Sequence, residues 1–421
     1  MIETLTLSPG VTLRCCRDSR FKQGCLSLQL VQPMQANTAA MNALLPSVLL
    51  RGTRRCPDLR SITEHLDELY GAAVSPLVRR IGDYQTTGLF CGFMDDRFAL
   101  PGDRVLEPMI AFLEELLLDS PLEEDGFAKS FVESEKKNLI STIESELNDK
   151  RVYAMNQLLR SMCKNDTFGL PRLGSPAEVS AIEPKALLTH YRRILKVSPM
   201  EIFYVGSAQP ETVAALLQPM LAKLSRDVVP MVPQTGFQTC EETNVVQTMD
   251  VSQGKLCMGF ITPITNRSPE FPAMQLMNTI LGAGMTSKLF VNVREKMSLC
   301  YSIGSGYYGS KGIVTVSAGI DFDKEDLVKE EVLRQLDACR DGNITEAELN
   351  AAREALVSSL RSTNDSPGAI EGYYATAALS GLKMTPEQYI ARLWDVTLED
   401  VVSAARQLSL HSTYFLKGED Q

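Results

Sequence analysis

The chain has 421 residues, of which 44% are hydrophobic, 22% charged and 7% aromatic. Because single hydrophobic cores stop growing at roughly 250–300 residues, this length predicts two or more packed domains. The net charge of −10 is spread along the chain without a stripe of Lys and Arg, which argues against nucleic acid as a partner. No uninterrupted apolar run of about 18 residues occurs, so no membrane-spanning segment is predicted.

The N-terminus and the cysteines indicate an intracellular protein. Residues 1–10 have no basic stretch followed by an apolar run and are therefore not typical of a secretory signal. Most of the ten cysteines lie within apolar runs and no C-x-x-C pair occurs, a pattern typical of reduced, buried thiols. We therefore expect a cytoplasmic location.

The first half of the chain alternates strand-like and helical segments. Alternating apolar residues predict the strands, and apolar residues spaced three and four apart predict the helices. Asp58 and Gly71 are the expected N-cap and end of the second helix. The predicted strands are 11–16, 25–31, 73–79, 84–93 and 201–205, and the predicted helices are 39–50, 58–70, 104–118, 126–163 with an interruption near Asn148 and Asp149, 184–195 and 210–224.

The second half repeats this order of elements. It follows a segment whose two prolines and one glycine indicate a linker over 228–239, between domains 1–227 and 240–421. Local sequence recurs too, since M-N-A-L-L at 41–45 is similar to M-N-T-I-L at 277–281. Strands are predicted at 255–261, 301–308 and 312–320, and helices at 272–281, 324–339 and 345–363. We predict an α+β fold of two duplicated lobes, each a mixed, mostly antiparallel sheet packed against helices; two unrelated domains are the alternative.

Three segments carry a resemblance to a known family. The first, A-L-L-P-S-V-L-L-R-G-T at 43–53, has the frame of an active-site helix with an H-x-x-E-H pattern and a terminal G-T. The others, L-G-A-G-M-T-S-K-L-F at 281–290 and V-R-E-K-M-S-L-C-Y-S at 293–302, resemble a second-domain signature. The chain thus resembles the insulinase/pitrilysin family of zinc metallopeptidases over nearly its whole length. Its expected relatives are the half-length bacterial members and the mitochondrial processing peptidases, which work as pairs of chains.

The zinc-binding residues of that family are replaced in this chain. In the family, two histidines four residues apart bind zinc and an intervening glutamate activates water. The histidine positions are Ala43 and Ser47 here, and the glutamate position is Pro46. Alanine has no ligand atom, a neutral serine hydroxyl is a poor ligand, and proline can neither accept a proton nor donate a backbone hydrogen bond. Proline also costs about 3 kcal/mol in a helix interior. We therefore expect the chain to bind no metal and, alone, not to be a peptidase.

The resemblance puts the family's third zinc ligand, a helical glutamate, at Thr142 in this sequence. The register stays open at this point because Glu135, Glu144 and Glu146 lie nearby. One glutamate without the two histidines would not hold zinc in any of these registers.

The three histidines and one glycine-rich segment give weak signals of other sites. His65 and Glu68 stand three residues apart, a spacing that fits a metal but is more often a solvated helix face. His190 lies in an amphipathic helix and is expected to be structural, whereas His411 has no companion. The segment 304–309 lacks phosphate-loop spacing and lies within a strand pattern, so β-structure is predicted there.

Arg294 and Tyr301 are the residues of the second-domain signature that could still carry chemistry. The resemblance implies that the tyrosine stabilises the oxyanion at the scissile carbonyl and the arginine binds the substrate, both from the second lobe. The alternative is a surface ion pair and a tyrosine that caps a sheet. Gly282 and Gly284 are either a helix C-terminus or a substrate-contacting loop, and both interpretations stay open.

The asymmetric loss of motifs predicts a noncatalytic, peptide-binding subunit. It would form a heterodimer with a zinc-bearing paralogue that holds the zinc, and supply Arg294 and Tyr301 to that chain's active site. One alternative is a purely structural or peptide-binding protein with no role in hydrolysis, like the core subunits of respiratory complexes. Another is a zinc-dependent endopeptidase with an unrecognised metal site. A homodimer, the identity of the partner and the peptide substrate are left open by the sequence.

Overall fold

The computed structural model describes residues 2–231, 236–238 and 240–419. In the N-terminal half the helices and strands are β1 (Ile2–Ser8), β2 (Val11–Arg17), β3 (Gln23–Pro33), α1 (Ala36–Leu49), α2 (Leu59–Glu68), β4 (Ala73–Ile81), β5 (Tyr84–Met94), α3 (Leu106–Leu118), β6 (Leu122–Glu123), β7 (Gly126–Phe127), α4 (Lys129–Asn148), α5 (Lys150–Met162), α6 (Pro176–Ser180), α7 (Pro184–Val197), β8 (Met200–Gly206) and α8 (Pro210–Ala222).

The C-terminal half continues with strands, α-helices and one π-helix. In chain order they are β9 (Thr243–Thr248), β10 (Gly254–Ile261), α9 (Phe271–Leu281), the π-helix (Leu289–Lys296), β11 (Ser302–Tyr308), β12 (Ile313–Ile320), α10 (Glu325–Arg340), α11 (Glu346–Ser362), α12 (Pro367–Ser380), α13 (Pro386–Asp395), α14 (Leu398–Arg406) and β13 (Ser409–Lys417). No helix among the described residues is both long enough and apolar enough to cross a membrane.

The chain forms two compact units that are interleaved in sequence. Unit 1 comprises Met1–Glu144, Pro171–Pro233 and Asn364–Thr376, and unit 2 comprises Ser145–Leu170, Gln234–Thr363 and Ala377–Gln421. Each unit therefore contains one segment from the opposite half of the sequence. The limits 1–227, 228–239 and 240–421 stay a prediction for the domains, and residues 232–235 and 239 of that linker lie outside the described residues.

The two units share one sheet topology. The six-stranded sheet of unit 1 has the order β1-β2-β8-β3-β5-β4, and the five-stranded sheet of unit 2 has the order β9-β13-β10-β12-β11. In each sheet the strand pair β2–β8 or β9–β13 is parallel and the remaining ladders are antiparallel. The prediction of a duplicated α+β unit with mostly antiparallel sheets is confirmed.

Each unit has its own hydrophobic core between the sheet and a helical layer. Alternate residues of β2 and β3 in unit 1 pack with α1, α3, α7 and α8. In unit 2, alternate residues of β10 and β12 pack with α9, α10 and α14. This arrangement explains why α1 and α9 read as almost wholly apolar, because most of their residues are buried.

We call residues 364–376 of unit 1 and 145–170 of unit 2 the exchanged segments, because each comes from the opposite half of the sequence. Each is held in its unit by a buried carboxylate. In unit 1, Glu371 of α12 accepts two hydrogen bonds from the Arg79 guanidinium of β4, at 2.9 and 2.6 Å. In unit 2, Asp166, which follows α5, lies 2.9 Å from the Lys311 ammonium in the β11–β12 turn. The carboxylate side chains are 0% and 1% exposed, respectively. Both anchors join an exchanged segment to the same hairpin of the repeat.

Several predicted boundaries are confirmed by capping geometry. The Asp58 side chain accepts from the Ser61 N–H and closes a capping box at the start of α2. Asp149 caps α5 directly after α4 ends at Asn148, as the predicted interruption requires. The prediction that helix begins at 126 was wrong, because Gly126 and Phe127 form a short strand with 122–123. Strands β1, β9 and β13 were not predicted.

Candidate functional site

Helix α1 carries the positions at which the resemblance implied zinc ligands. Ala43 is 5% exposed and belongs to the hydrophobic core of unit 1. Pro46 is buried, whereas Ser47 is half-buried on the same helix. Two of the three positions are thus filled by hydrocarbon in a packed interior, which offers a cation no ligand atom.

Pro46 lies inside α1, yet the helix continues to Leu49. Proline has no N–H, so the carbonyl of Asn42, four residues earlier, loses its helical donor. The hydroxyl of Thr87 on β5 donates to that carbonyl at 2.7 Å. Thr87 is 1% exposed, so the bond is shielded from water. Thr87 therefore replaces the hydrogen bond that the proline removes. The cost of about 3 kcal/mol expected for Pro46 from the sequence did not include this bond.

The Asn42 side chain joins α1 to a buried polar network. Its amide nitrogen donates to Gln85 Oε1 at 2.9 Å, and His190 Nε2 lies 2.7 Å from its oxygen. Because that oxygen can only accept, His190 carries its proton on Nε2. Burial, aided by the nearby Arg193 cation, lowers the pKa of His190 to about 4, so the ring is neutral at pH 7. His190 thus has the structural role that its position predicted.

The third predicted ligand position, Thr142, is exposed on α4. Its hydroxyl donates to the carbonyl of Asn138 in the same helix at 2.9 Å. Glu135, one of the alternatives in register, is buried and paired with Arg51, which follows α1, at 3.3 Å. A carboxylate held by a guanidinium is a poor ligand for a second cation. Among the described residues no group of three His, Cys, Asp or Glu side chains could hold a metal ion.

His65 is enclosed by partners other than a metal. Arg55 Nη2 lies 2.9 Å from its Nε2, and Glu68 lies 3.7 Å from its Nδ1. Its ring packs edge-on against Phe112 at 4.7 Å between centroids. Partial burial and the Arg55 cation lower the pKa of His65. The same cation would repel a metal ion at this ring.

His411 on β13 is a buried residue of unit 2. Its Nδ1 lies 2.8 Å from the Ser412 hydroxyl, and its Nε2 lies 3.1 Å from the Cys240 carbonyl. Phe237 packs edge-on against the ring. Both ring nitrogens are engaged in structural contacts.

Arg294 and Tyr301 lie together at one open cavity of unit 2. The cavity has a volume of about 420 Å³. Arg294 lies on the π-helix, and Tyr301 directly precedes β11. The lining residues are Arg294, Glu295, Ser298, Leu299, Cys300, Tyr301, Asp321 and Lys324. The two predicted residues are therefore neighbours in space as well as in sequence.

The Tyr301 hydroxyl is held by a carboxylate in this cavity. It donates to Asp321 Oδ1 at 3.0 Å, and Lys324 lies 2.6 Å from the other carboxylate oxygen. This hydrogen bond raises the pKa of Tyr301, and Lys324 first, then Tyr301, lower the pKa of Asp321. The tyrosine side chain is 62% exposed. A role as oxyanion donor requires this exposed hydroxyl to exchange Asp321 for the substrate.

Arg294 projects a guanidinium with no strong ion pair in the described contacts. Its Cζ lies 4.6 Å from the centroid of the Phe290 ring, and its Nε lies 3.7 Å from Glu295. The Phe290 contact orients the guanidinium plane, whereas an ion pair at that distance is weak. Arg294 also opposes the rise in the pKa of Cys300, which burial brings to about 11. The Arg294 side chain therefore lines the cavity and is 39% exposed.

Gly282 and Gly284 occupy the end of α9. Gly282 is the C-cap, and its N–H donates to the carbonyl of Asn278 at 2.9 Å. A β-carbon at Gly282 would lie 2.6 Å from Ser305 Oγ and 2.8 Å from Leu289, so only glycine fits there. Gly284 has a φ of 137° and no neighbour within 4 Å of an added β-carbon. Gly282 is thus required for packing, and Gly284 for backbone conformation.

The sequence did not point to Asp321 and Lys324. The sequence predicts that a helix begins at Lys324, and the structure confirms this residue as the N-cap of α10. Only the β11–β12 pairing, which sets Tyr301 N–H against the carbonyl of Gly319, brings Asp321 beside Tyr301. The signal that could have found Asp321 is its position directly after β12, the strand that pairs with β11 next to Tyr301.

The repeated sheet, the proline-bearing α1 and the cavity of Arg294 and Tyr301 fit the insulinase-like resemblance of the sequence. Residues 181–356 match the family described as the Peptidase M16 inactive domain. The chain is 28% identical over 411 residues, 98% of its length and 96% of that protein, to the probable inactive metalloprotease YmfF of Bacillus subtilis. These matches bear out the resemblance to an insulinase-like family member that lacks the zinc motif.

Solved structures have the same fold. A conserved protein from Enterococcus faecalis superposes with a TM-score of 0.90 at 26% identity, over 100% of this chain and 99% of that one. A peptidase M16 inactive domain from Pseudomonas fluorescens superposes with a TM-score of 0.81 at 17% identity, over 100% of this chain and 98% of that one. The second likeness concerns the fold alone.

Proposed function

We propose that the chain is a noncatalytic, peptide-binding subunit that supplies Arg294 and Tyr301 to the active site of a zinc-bearing family member. The observation that carries the proposal is the contrast between the two motifs. Two of the zinc-motif positions carry the buried apolar side chains of Ala43 and Pro46, whereas Arg294 and Tyr301 line one solvent-open cavity. A guanidinium and a phenol at one cavity can bind a peptide carboxylate or carbonyl through charge-assisted hydrogen bonds.

The proposal assigns the zinc to the partner chain and peptides to the cavity as substrates. It also assigns the heterodimer to the cytosol, which is supported by ten cysteines that are all free thiols. A homodimer remains a competing assembly, and it would hold no zinc at either copy's α1.

The experiment is reconstitution with a zinc-bearing family member from the same genome, followed by hydrolysis of a mixed peptide pool. Arg294→Ala and Tyr301→Phe are each expected to lower kcat/KM of the pair by about tenfold or more, since a lost oxyanion donor costs about 10²–10³. Tyr70→Phe and Arg60→Ala are matched controls, because Tyr70 also donates to an aspartate and Arg60 is an exposed ion-paired arginine. Wild-type rates in the Arg294 and Tyr301 variants would refute the role in trans.

A second candidate is a peptide-binding or structural protein with no role in hydrolysis. It is favoured by the hydrogen bond from Tyr301 to Asp321, which occupies the hydroxyl that an oxyanion would need. In that case the chain binds peptides at the cavity, yet never raises the activity of a zinc-bearing partner at any ratio in the titration.

A further inference from the structure

The outer edge of the unit 2 sheet differs from its counterpart in unit 1. Strands β2 and β9 hold equivalent places, because each pairs in parallel with the last strand of its repeat, β8 or β13. In unit 1, strand β1 pairs antiparallel with the outer edge of β2. In unit 2, β9 is the terminal strand, and among the described residues no strand pairs with its outer edge.

The side chains of the two strands differ in the same way. In β2, Val11, Leu13 and Cys15 are at most 1% exposed and belong to the core that α8 covers. In β9, Asn244, Val246 and Thr248 are exposed, and Val246 is 51% exposed. Val246 is opposite Phe415 of β13, a core residue, so it faces the helical layer of unit 2. The described part of unit 2 has no helix over it that corresponds to α8.

The backbone of β9 presents hydrogen-bonding groups at this edge. The Met249 N–H donates to the Lys417 carbonyl of β13, so the backbone N–H and C=O groups of Met249 point towards β13. Because successive residues of a strand point to opposite sides, the N–H and C=O groups of Asn244, Val246 and Thr248 point to the open edge. An edge with unpaired groups is a template for an added strand.

We infer that β9 binds an extended polypeptide segment of a partner as an antiparallel strand, in the place that β1 takes in unit 1. Charge indicates which segment fits. Glu241 and Glu242, both exposed, directly precede β9. An antiparallel strand has its C-terminal end beside them, so the segment carries basic residues there and β-branched residues before them.

A second copy of this chain fits the edge less well. Antiparallel pairing of β9 with itself, with Asn244 opposite Thr248, would place Glu242 opposite Asp250 of the other copy at both ends. Like charges directly opposite each other are destabilising. The basic partner segment therefore suits this edge better than self-association does.

The test uses a fluorescein-labelled ten-residue peptide of alternating Val and Thr with two C-terminal lysines, and anisotropy at low salt. Val246→Pro removes an outward N–H without removing a ladder bond, so the unit still folds. Val246→Thr is the matched control because it keeps the N–H and the branched side chain. We expect saturable binding that Val246→Pro weakens by about tenfold or more and Val246→Thr leaves within about twofold.

Charge and site variants complete the experiment. Glu241→Gln with Glu242→Gln, or glutamates in place of the peptide lysines, should each weaken binding by about fivefold. Val246→Pro changes β9 and leaves the cavity of Arg294 and Tyr301 intact, so failure here is independent of the function proposed above. Equal binding by the Pro and Thr variants, or no saturation, overturns the inference. A dimer seen by sedimentation that Val246→Pro converts to monomer and Val246→Thr does not would also overturn the inference, because the occupant would then be a second copy.

Discussion

The two units share their strand order, but they differ in what surrounds the equivalent apolar helices. Asn42 of α1 and Asn278 of α9 stand in the recurring M-N-A-L-L and M-N-T-I-L segments. The Asn42 side chain is hydrogen-bonded to both Gln85 and His190, whereas the buried Asn278 side-chain oxygen has no hydrogen-bond partner among the described residues. The backbone carbonyl of each residue accepts a hydrogen bond from a hydroxyl of the sheet: Thr87 donates to Asn42, and Ser305 donates to Asn278.

This difference separates what the fold needs from what the function needs. The hydroxyl-to-carbonyl bond and the strand order recur because both units require them for packing. Among the described residues, the polar network around α1 is found in unit 1 and the cavity of Arg294 and Tyr301 in unit 2. The two units therefore share their scaffold, while the buried polar network lies in unit 1 and the open, polar cavity lies in unit 2.

The largest expected effects come from the two buried anchors of the exchanged segments. Glu371→Ala leaves Arg79 without its carboxylate, and Lys311→Ala leaves Asp166 buried without its cation. Breaking a buried pair in this way costs about 3–5 kcal/mol. The single Trp of the chain, Trp394, lies in unit 2 and reports its unfolding, whereas far-UV circular dichroism reports both units.

We therefore expect Lys311→Ala to shift the urea midpoint seen by Trp394 fluorescence. Glu371→Ala should shift the circular dichroism transition more than the fluorescence transition. Glu64→Gln is the control, because it removes an exposed helical pair worth only a few tenths of a kcal/mol. If both anchor variants behave like that control, the exchanged segments are not held by these carboxylates.

The next effect concerns pH and the neutral His190 of unit 1. Its pKa is about 4 in the folded chain, below the unfolded value near 6.5, because burial disfavours the charged ring. The unfolded state therefore binds a proton first as the pH falls, and stability is lost between about pH 6.5 and 4. Between pH 7 and 4.5 we expect His190→Gln to lose about 2 kcal/mol less than the wild type in urea unfolding. Equal losses would contradict a neutral His190.

The smallest effect tests the compensation at Pro46. Thr87→Val leaves the Asn42 carbonyl buried without a donor and should cost about 1–3 kcal/mol. In a Pro46→Ala background the new backbone N–H serves that carbonyl, so the same substitution should cost at least about 1 kcal/mol less. A double-mutant cycle in urea measures this coupling. Additive costs would mean that Thr87 does not replace the missing helical bond.

The periodic segments were predictable from sequence because local spacing decides them. The helix through Pro46 was predicted too, but its stability rests on Thr87, which only the placement of β5 reveals. The exchanged segments were beyond reach for the same reason, since Glu371 meets Arg79 through the tertiary fold alone. Strand β9 was missed because T-N-V-V-Q-T is short and polar, as an exposed edge strand can be.

At the candidate site, the sequence pointed to Arg294 and Tyr301 but not to Asp321, which accepts the Tyr301 hydrogen bond. The pairing of β11 with β12 decides that Tyr301 meets Asp321, and this register depends on the turn at 309–312. The π-helix that carries Arg294 was likewise not readable, because a single wide turn has no distinct apolar period.

The central claim is that this chain holds no zinc at its degenerate motif. The direct measurement is zinc per purified chain, by elemental analysis after dialysis against a mild chelator. The account predicts a ratio near zero, because Ala43, Pro46 and Ser47 supply no adequate ligand set. A ratio near one that survives dialysis would contradict it and direct attention first to His65 and Glu68.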